Sequence, residues 1–497
     1  VRWIVTIVAD DCFYYFKIAQ NLVATGTPTF DGVNLTNGFH PAWMAILVGL
    51  VSLFPEGLTQ ETVARILLFA QWPLVASGVS LLLLYGSPRP TPGGCAFSIL
   101  AILGVPFIRP ITMGLETSLA FLCFAGYWLA LARSVRRSDA AIWPVGLLAA
   151  LWELARLDSF LISMTASALA LLLAPATGRG RESPCRLRFW RSLLIMVGPT
   201  GIVAGGAAVM NKMSFGHYLT VSAYIKSGIG VPSFHFVAHE LHYPIAAGIT
   251  LAVGLWSWGK QPEFGDKARM LCVLSGAVLI YCGVFPFLIK YPQNASWYYY
   301  TVTGLVLVGA MMVWNGVEEH FTHAGVIRGI LVTILAFLAA SSWIYFARMP
   351  VFFTECYDVA IRARQLPAGS VLAFTDAGSV GFFSLHPTVD TDGLANSFDF
   401  LRATETNTVS DFLKRSGVTH VVIPMRHVAS DLESGQARYY VRGRHGKIFS
   451  VPDMPLTRNN LVAGPLDHSS LWGLSIFKAE FKDPATARRA AIGATAR

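Results

Sequence analysis

Charge is what this sequence lacks. Only 13% of its 497 residues are Asp, Glu, Lys or Arg, against roughly 25% in a soluble globular chain. Mean hydropathy is +0.52. These figures exclude an ordinary water-soluble domain. Cysteine is sparse as well: seven residues, at 12, 95, 123, 185, 272, 282 and 356, mostly within apolar runs and with no CxxC pair. That excludes a thiolate zinc site and a disulfide framework. Neither GxGxxG nor Walker spacing occurs, and "TDAGSVG" at 375–381 resembles a phosphate loop only superficially. The zincin pattern HExxH is missing too. "HFVAHELH" at 235–242 could line His235, His239 and His242 along one helical face, but it reads HxxxHExH, with Glu240 after the second histidine and His242 only three residues after it. No fixed-period repeat and no low-complexity tract is present. The net charge of +9 is no nucleic-acid signal in such a chain, because Lys and Arg of membrane proteins gather in cytoplasmic loops.

What is there is apolar length. Stretches at about 62–85, 93–112, 115–132, 141–156, 158–174, 189–209, 237–258, 268–289, 298–315 and 326–346 are near the roughly 20 residues that cross a bilayer. Residues 1–8, "VRWIVTIV", read as the end of a span, since as a helix they rise only about 12 Å. No signal peptide is recognisable. Basic loops at Arg133–Arg137, Arg179–Arg191 and Lys260–Arg269 are two spans apart and so share one side, read as cytoplasmic. The turns 107–117, 156–158, 210–236 and 290–298, and everything after about 347, then face out. Segment 40–54 is short for a span and reads as a re-entrant or surface-lying helix. The expected fold is an α-helical polytopic membrane protein of about 10–12 membrane helices over 1–349. A water-exposed α/β domain follows over 350–497, where long apolar runs stop. There "GSVLAFTDAG" reads as a strand and turn, "TNTVSDFLKRSG" as a capped helix ended by Gly417, and "VTHVVIP" as a strand.

Ionisable residues at membrane depth are costly and usually face a cavity or a partner. Those on the outer side come from five separate loops: Asp10, Asp11, Lys17, Asp31 and His40; Arg109 and Glu116; Glu153, Arg156 and Asp158; Lys212 to Glu240; and Lys290 with the aromatics Trp297 to Tyr300. Carboxylates, bases and aromatics gathered at one membrane face suit a polar substrate carrying a lipid-linked anion. A carboxylate can take a proton from a hydroxyl, Lys and Arg can hold a phosphate, and aromatic faces can hold sugar rings. Each residue also has a plainer use. Asp10 or Asp11 could cap the helix of "CFYYFKIAQNL". Arg156 and Asp158 could be a structural ion pair, Tyr298 part of an interfacial aromatic belt, and Lys290 a snorkelling side chain.

The motifs "DDCFYYFKIAQNLVATGTPTFDGVNLTNGFHPAW", "GLETSLAF", "ARLDSF", the "YYY" run and "DAGSVGFFS…VDTDGLANS" follow in the order found in a bacterial group of GT-C glycosyltransferases. The sequence resembles that superfamily along most of its length. It is similar to protein mannosyltransferase, aminoarabinose transferase and cell-wall arabinofuranosyltransferase relatives. It departs from the group in a leading helix that is nearly absent and in "HPAW" for the commoner "HPLW".

The resemblance implies an inverting transfer of a sugar from a polyprenyl-phosphate donor to a glycan, lipid or protein acceptor, at the outer face of a bacterial inner (plasma) membrane. It implies Asp10 or Asp11 as general base, with a lean to Asp11. The expected substrate-binding residues are Tyr14, Tyr15, Lys17, His40, Glu116, Arg156, Asp158, Lys290 and Tyr298, with Lys290 and Arg156 on the donor phosphate. A divalent metal, Mg or Mn, is optional; Asp10 and Asp11 would hold it. The segment from Asp10 is expected to lay its aromatic helix on the membrane surface, and the outer domain to bind or orient the acceptor. The competing class is a membrane transporter or flippase for a lipid-linked or polar substrate.

Overall fold

The computed structural model describes residues 5, 8–55, 57–86, 90–136, 142–173, 185–227, 240–260, 265–288, 296–320, 322–348, 352–425, 428–434, 436–442, 447–464 and 472–481, with a few side chains inside these ranges left out. Each of the ten apolar stretches falls on helix. Six helices among the described residues are long and apolar enough to cross a bilayer: Gln60–Gly86, Thr117–Val135, Trp190–Phe215, Gly265–Leu288, Tyr300–Val317 and Ala324–Ile344. Shorter helices Trp143–Ala155 and Ser159–Leu172, and His242–Lys260, pack among them. Stretch 93–112, expected as one span, is broken. Pro92–Ile102 and Val105–Thr112 meet at 85°. Gly104 and Pro106 sit at the bend, where a proline cannot continue the backbone ladder. The freed backbone groups find partners on the neighbouring helix: Ser342 Oγ accepts from Val105 N–H at 3.1 Å, and Trp343 Nε1 donates to the Leu103 carbonyl at 2.9 Å. Such re-satisfaction is what the bilayer interior demands.

The bundle core is aromatic, with Tyr127, Trp128, Trp152, Tyr281 and Tyr300 fully buried. Outer helices instead turn large apolar side chains outward, among them Ile202 (77% exposed) and Phe337 (70%). Surface of that kind needs lipid as its solvent. Segment 40–54 forms helix Pro41–Val51, which rises only about 16 Å.

Beyond the bundle the chain builds the α/β unit. Strands β1 (Leu372–Phe374), β2 (Thr388–Asp390), β3 (His420–Pro424), β6 (Leu461–Ala463) and β7 (Leu474–Lys478) form a sheet in the order β2-β1-β3-β7-β6. β1 is parallel to β2 and β3, with Leu372 opposite Thr388 and His420, and β7 is antiparallel to β3 and β6. A separate hairpin joins β4 (Arg438–Arg442) to β5 (Ile448–Pro455).

Helix Asp11–Thr25 corrects one expectation. It does not lie with its aromatic face against lipid. Cys12, Phe13, Tyr14, Tyr15, Phe16 and Ile18 are buried in one hydrophobic cluster with Val380, Phe382 and Phe383 of the α/β unit. Phe13 meets Phe382 and Phe383 at ring distances of 5.6 and 5.0 Å. The helix is thus the seam between bundle and α/β unit. It ends at Gly26, whose φ of 73° is the left-handed stop that glycine adopts without strain.

Candidate active site

A turn of three residues, Arg156, Leu157 and Asp158, joins helices Trp143–Ala155 and Ser159–Leu172. Around it a polar network closes. Arg156 is only 1% exposed. Its NH1 lies 2.6 Å from Glu116 Oε1 and its Nε 2.7 Å from Asp158 Oδ1. The guanidinium sits over the rings of Tyr298 (4.5 Å) and Tyr300 (5.6 Å). Tyr281 donates to the second Asp158 oxygen at 2.6 Å. Glu116 stands directly before the N-terminus of helix Thr117–Arg136, a favourable place for a carboxylate. Tyr15 hydroxyl bonds to it, and His40 Nε2 is 3.6 Å away. Leu157 N–H donates to His40 Nδ1 at 3.5 Å, which assigns the ring proton to Nε2. Burial, and then Arg156, keep His40 below its ordinary pKa against the pull of Glu116. Burial pushes Glu116 up, but His40 and Arg156 outweigh it and hold the carboxyl below its usual value.

This network forms the wall of a cavity of about 500 Å³. Asp11, Tyr14, Tyr15, His40, Glu116, Glu153, Arg156, Asp158, Lys226 and Tyr298 line its polar side. Leu161, Ala204, Ala207 and Leu288 make an apolar side, and Leu394 and Ala395 reach in from the α/β unit. A site of this size with few convergent polar groups suits one polar head and an apolar tail.

The two adjacent acids separate here. Asp11 lines the cavity. Burial pushes its carboxyl up to about 6; Lys226 pulls it down, while Asp392 and Glu116 add to the rise. Lys226 is lowered by burial but held above its ordinary value by Tyr298, Asp11 and Asp392. Asp10 is buried outside the cavity. It does not cap its own helix. Its Oδ2 accepts from Gly378 N–H and its Oδ1 from Ser379 N–H, both at 2.8 Å, and the Ser379 hydroxyl donates to Oδ1 as well. Burial raises Asp10 to about 8 against the lowering pull of those Ser379 bonds. The "TDAGSVG" segment thus engages a carboxyl group supplied by the chain itself.

The other sequence candidates divide similarly. Tyr14 reaches the cavity edge, but its hydroxyl accepts from Ala377 N–H at 2.7 Å and donates to Asp390 Oδ1 at 3.3 Å. Lys17 does not line the cavity. Lys290, His235 and His239 lie outside the described residues. The Asp10–Asp11 pair does not fit a metal, because both Asp10 oxygens are engaged by Gly378 and Ser379. No group of three or more His, Cys, Asp or Glu suited to a metal occurs among the described residues. Sequence reasoning noted Lys226 and Glu153 as outer-face charges without giving either a role. Both line the cavity, and Glu153, 2% exposed, has one carboxylate oxygen without a hydrogen-bond partner. Neither residue belongs to a quoted motif; only the three-dimensional convergence marks them.

Solved structures match over nearly the whole chain. The chain is similar to ArnT from Cupriavidus metallidurans bound to undecaprenyl phosphate, at 15% identity and a TM-score of 0.54, covering 90% of this chain and 96% of that one. Its apo form matches at 14% identity and a TM-score of 0.55, covering 96% of both chains. The chain is a polytopic membrane protein, and its fold is that of these ArnT structures. Within it, residues 355–460 match a family described as a domain of unknown function, DUF8728. No curated protein sequence matches.

Proposed function

We propose that the protein is an inverting glycosyltransferase that moves a sugar from a polyprenyl-phosphate donor to an extracytoplasmic glycan, lipid or protein acceptor. The observation that carries this reading is Asp11. It is a carboxylate with a pKa near 6, beside a cation, in a cavity that is polar at one side and apolar at the other. A base of that strength is deprotonated at neutral pH yet still accepts a proton in the transition state. Asp11 takes the proton of the acceptor hydroxyl. The hydroxyl oxygen bonds to the anomeric carbon from the face opposite the phosphate, the bond from that carbon to the phosphate oxygen breaks, and polyprenyl phosphate leaves with the electron pair. That leaving group needs little acid help, so positioning and anion stabilisation carry the rate.

Arg156 is committed to Glu116 and Asp158 and is recast from phosphate ligand to the brace of the wall. Lys226, which lines the cavity, is our candidate for the phosphate, with Lys290 retained as a further candidate. The ligand of the similar ArnT structure, undecaprenyl phosphate, supports a lipid-linked donor. Helix direction supports an outward-facing site. Thr117–Arg136 runs from Glu116 to Arg133. Trp143–Ala155 runs back toward Arg156, and Gly265–Leu288 runs from Lys267 to cavity-lining Leu288. Arg133 and Lys267 are thus at the far end from the cavity, the cytoplasmic end by the positive-inside rule. The test is transfer from radiolabelled polyprenyl-phosphate sugars by purified protein in vesicles containing membrane acceptors. Wild type should form covalent product and Asp11→Asn should not. Uptake of sugar without covalent transfer overturns the reading in favour of a transporter.

A further inference from the structure

Helix Asp11–Thr25 and the residue before it carry two doublets one turn apart. Asp10 and Tyr14 are four residues apart, as are Asp11 and Tyr15. Residues at that spacing share a helix face, and the next residue points about 100° away. The structure puts the two faces to different uses. The Asp11–Tyr15 face lines the cavity, with Tyr15 bonded to Glu116. The Asp10–Tyr14 face is gripped by two segments of the α/β unit. One is 377–379, where the chain enters helix Gly378–Phe383 shortly after β1. It gives the N–H groups of Gly378 and Ser379 and the Ser379 hydroxyl to Asp10, and Ala377 N–H to Tyr14. Gly378 fits because it lacks a side chain: a Cβ there would overlap the Asp10 backbone carbonyl and come within 2.6 Å of its Oδ2. The other is 390–396. Asp390 accepts from Tyr14, and also from the N–H groups of Asp392 and Ala395, at 3.2 and 2.9 Å. Ala395 itself lines the cavity.

We infer that this grip is the positioning device of the active site: the α/β unit, through Gly378 and Ser379, holds Asp10 and thereby sets where Asp11 stands. The inference rests on Asp11 being the base, as proposed above. Asp10, Gly378 and Ser379 do not line the cavity, so they act through Asp11 and are positioning residues. Displacing a reacting group by about 1 Å can cost on the order of 100-fold in rate.

The experiment uses the full chain in lipid nanodiscs, as Ser379→Ala and Asp10→Asn. Ser379→Ala removes one donor. Asp10→Asn keeps the shape but turns an NH2 toward an N–H. Arg402→Ala, which removes an exposed ion pair with Asp399 elsewhere in the α/β unit, is the control. Three readouts are taken: hydrogen exchange of amides 11–16, affinity for undecaprenyl phosphate, and kcat with its pH profile. Both variants should speed exchange in the first helical turn and leave undecaprenyl-phosphate affinity within about two-fold. They should lower kcat about 10- to 100-fold and shift the pH of half-maximal rate. The control should match wild type throughout. With an active wild type, unchanged exchange, faster exchange with unchanged kcat, or an equal loss in Arg402→Ala overturns the inference. A wild type that transfers no sugar from polyprenyl-phosphate donors overturns instead the glycosyltransfer reading on which it rests.

Discussion

Two identical neighbours meet opposite fates in Asp10 and Asp11, and the difference is direction. Asp10 faces backbone donors at the start of distant helix Gly378–Phe383, and Asp11 faces the cavity. Asp11→Asn should therefore lower transfer by about 10²- to 10⁴-fold, the usual worth of a positioned base, with lipid-phosphate binding retained. On the proposed reading Asp11 works deprotonated, so kcat/KM should fall as pH is lowered through about 6, where burial places the Asp11 carboxyl. Lys226 pulls that value down. Lys226→Met should accordingly move the acid limb of the profile to higher pH and weaken donor binding. Initial rates from pH 5 to 8 check both statements. Arg156 spans two carboxylates and two rings. Arg156→Ala takes the guanidinium from buried Glu116 and half-buried Asp158, and breaking a buried pair in this way costs about 3–5 kcal/mol. A thermal-shift assay in detergent should show a large drop in Tm as well as lost activity.

Elements are set against each other by close approaches. Gly114, in the turn before helix Thr117–Arg136, has φ 88° and lies against Cys12 of helix Asp11–Thr25: a Cβ there would come 2.7 Å from the Cys12 Cβ. Its N–H donates to Gln71 Oε1 at 3.2 Å. This turn fixes Glu116 relative to Asp11. Gly114→Ala combines backbone strain with overpacking, each worth about 1–3 kcal/mol. It should lower both Tm and kcat, whereas Gly49→Ala, with nothing within 4 Å, should change neither. The bent helix pair at Gly104 shows how an apolar stretch of spanning length can hide a break. Hydropathy registers length, while the bend depends on Ser342 and Trp343 of a helix far along the chain.

At the scale of the whole molecule, the α/β unit is built into the bundle. It buries Phe13 and Phe16 of helix Asp11–Thr25, ties to the bundle through Arg364 and Glu61 at 2.7 Å, and supplies Leu394 and Ala395 to the cavity. Removing residues 350–497 would expose that aromatic face, each buried ring being worth about 1.5–3 kcal/mol. The truncated chain is therefore expected to lose donor binding along with acceptor use, and to elute as aggregate in size-exclusion chromatography. A monodisperse truncated chain that binds undecaprenyl phosphate would contradict this expectation.

Sequence by itself determined the membrane class, the ten apolar stretches and the turn from apolar helices to a C-terminal region with strands. Those properties are local: hydropathy, helix length and turn residues are set by neighbours in the chain. The GT-C resemblance was legible for the same reason, since its motifs are short and ordered. Only the tertiary structure decided that Asp11 faces the cavity while Asp10 is clamped. The same holds for Arg156 as a brace, for Lys226 and Glu153 as cavity residues, and for the aromatic helix as a seam between two units. Each of these depends on a partner far along the chain: Ser379 for Asp10, Glu116 for Arg156, Phe382 for Phe13. A helix shows from its own sequence which residues share a face, but what that face meets is fixed only when the whole chain has packed.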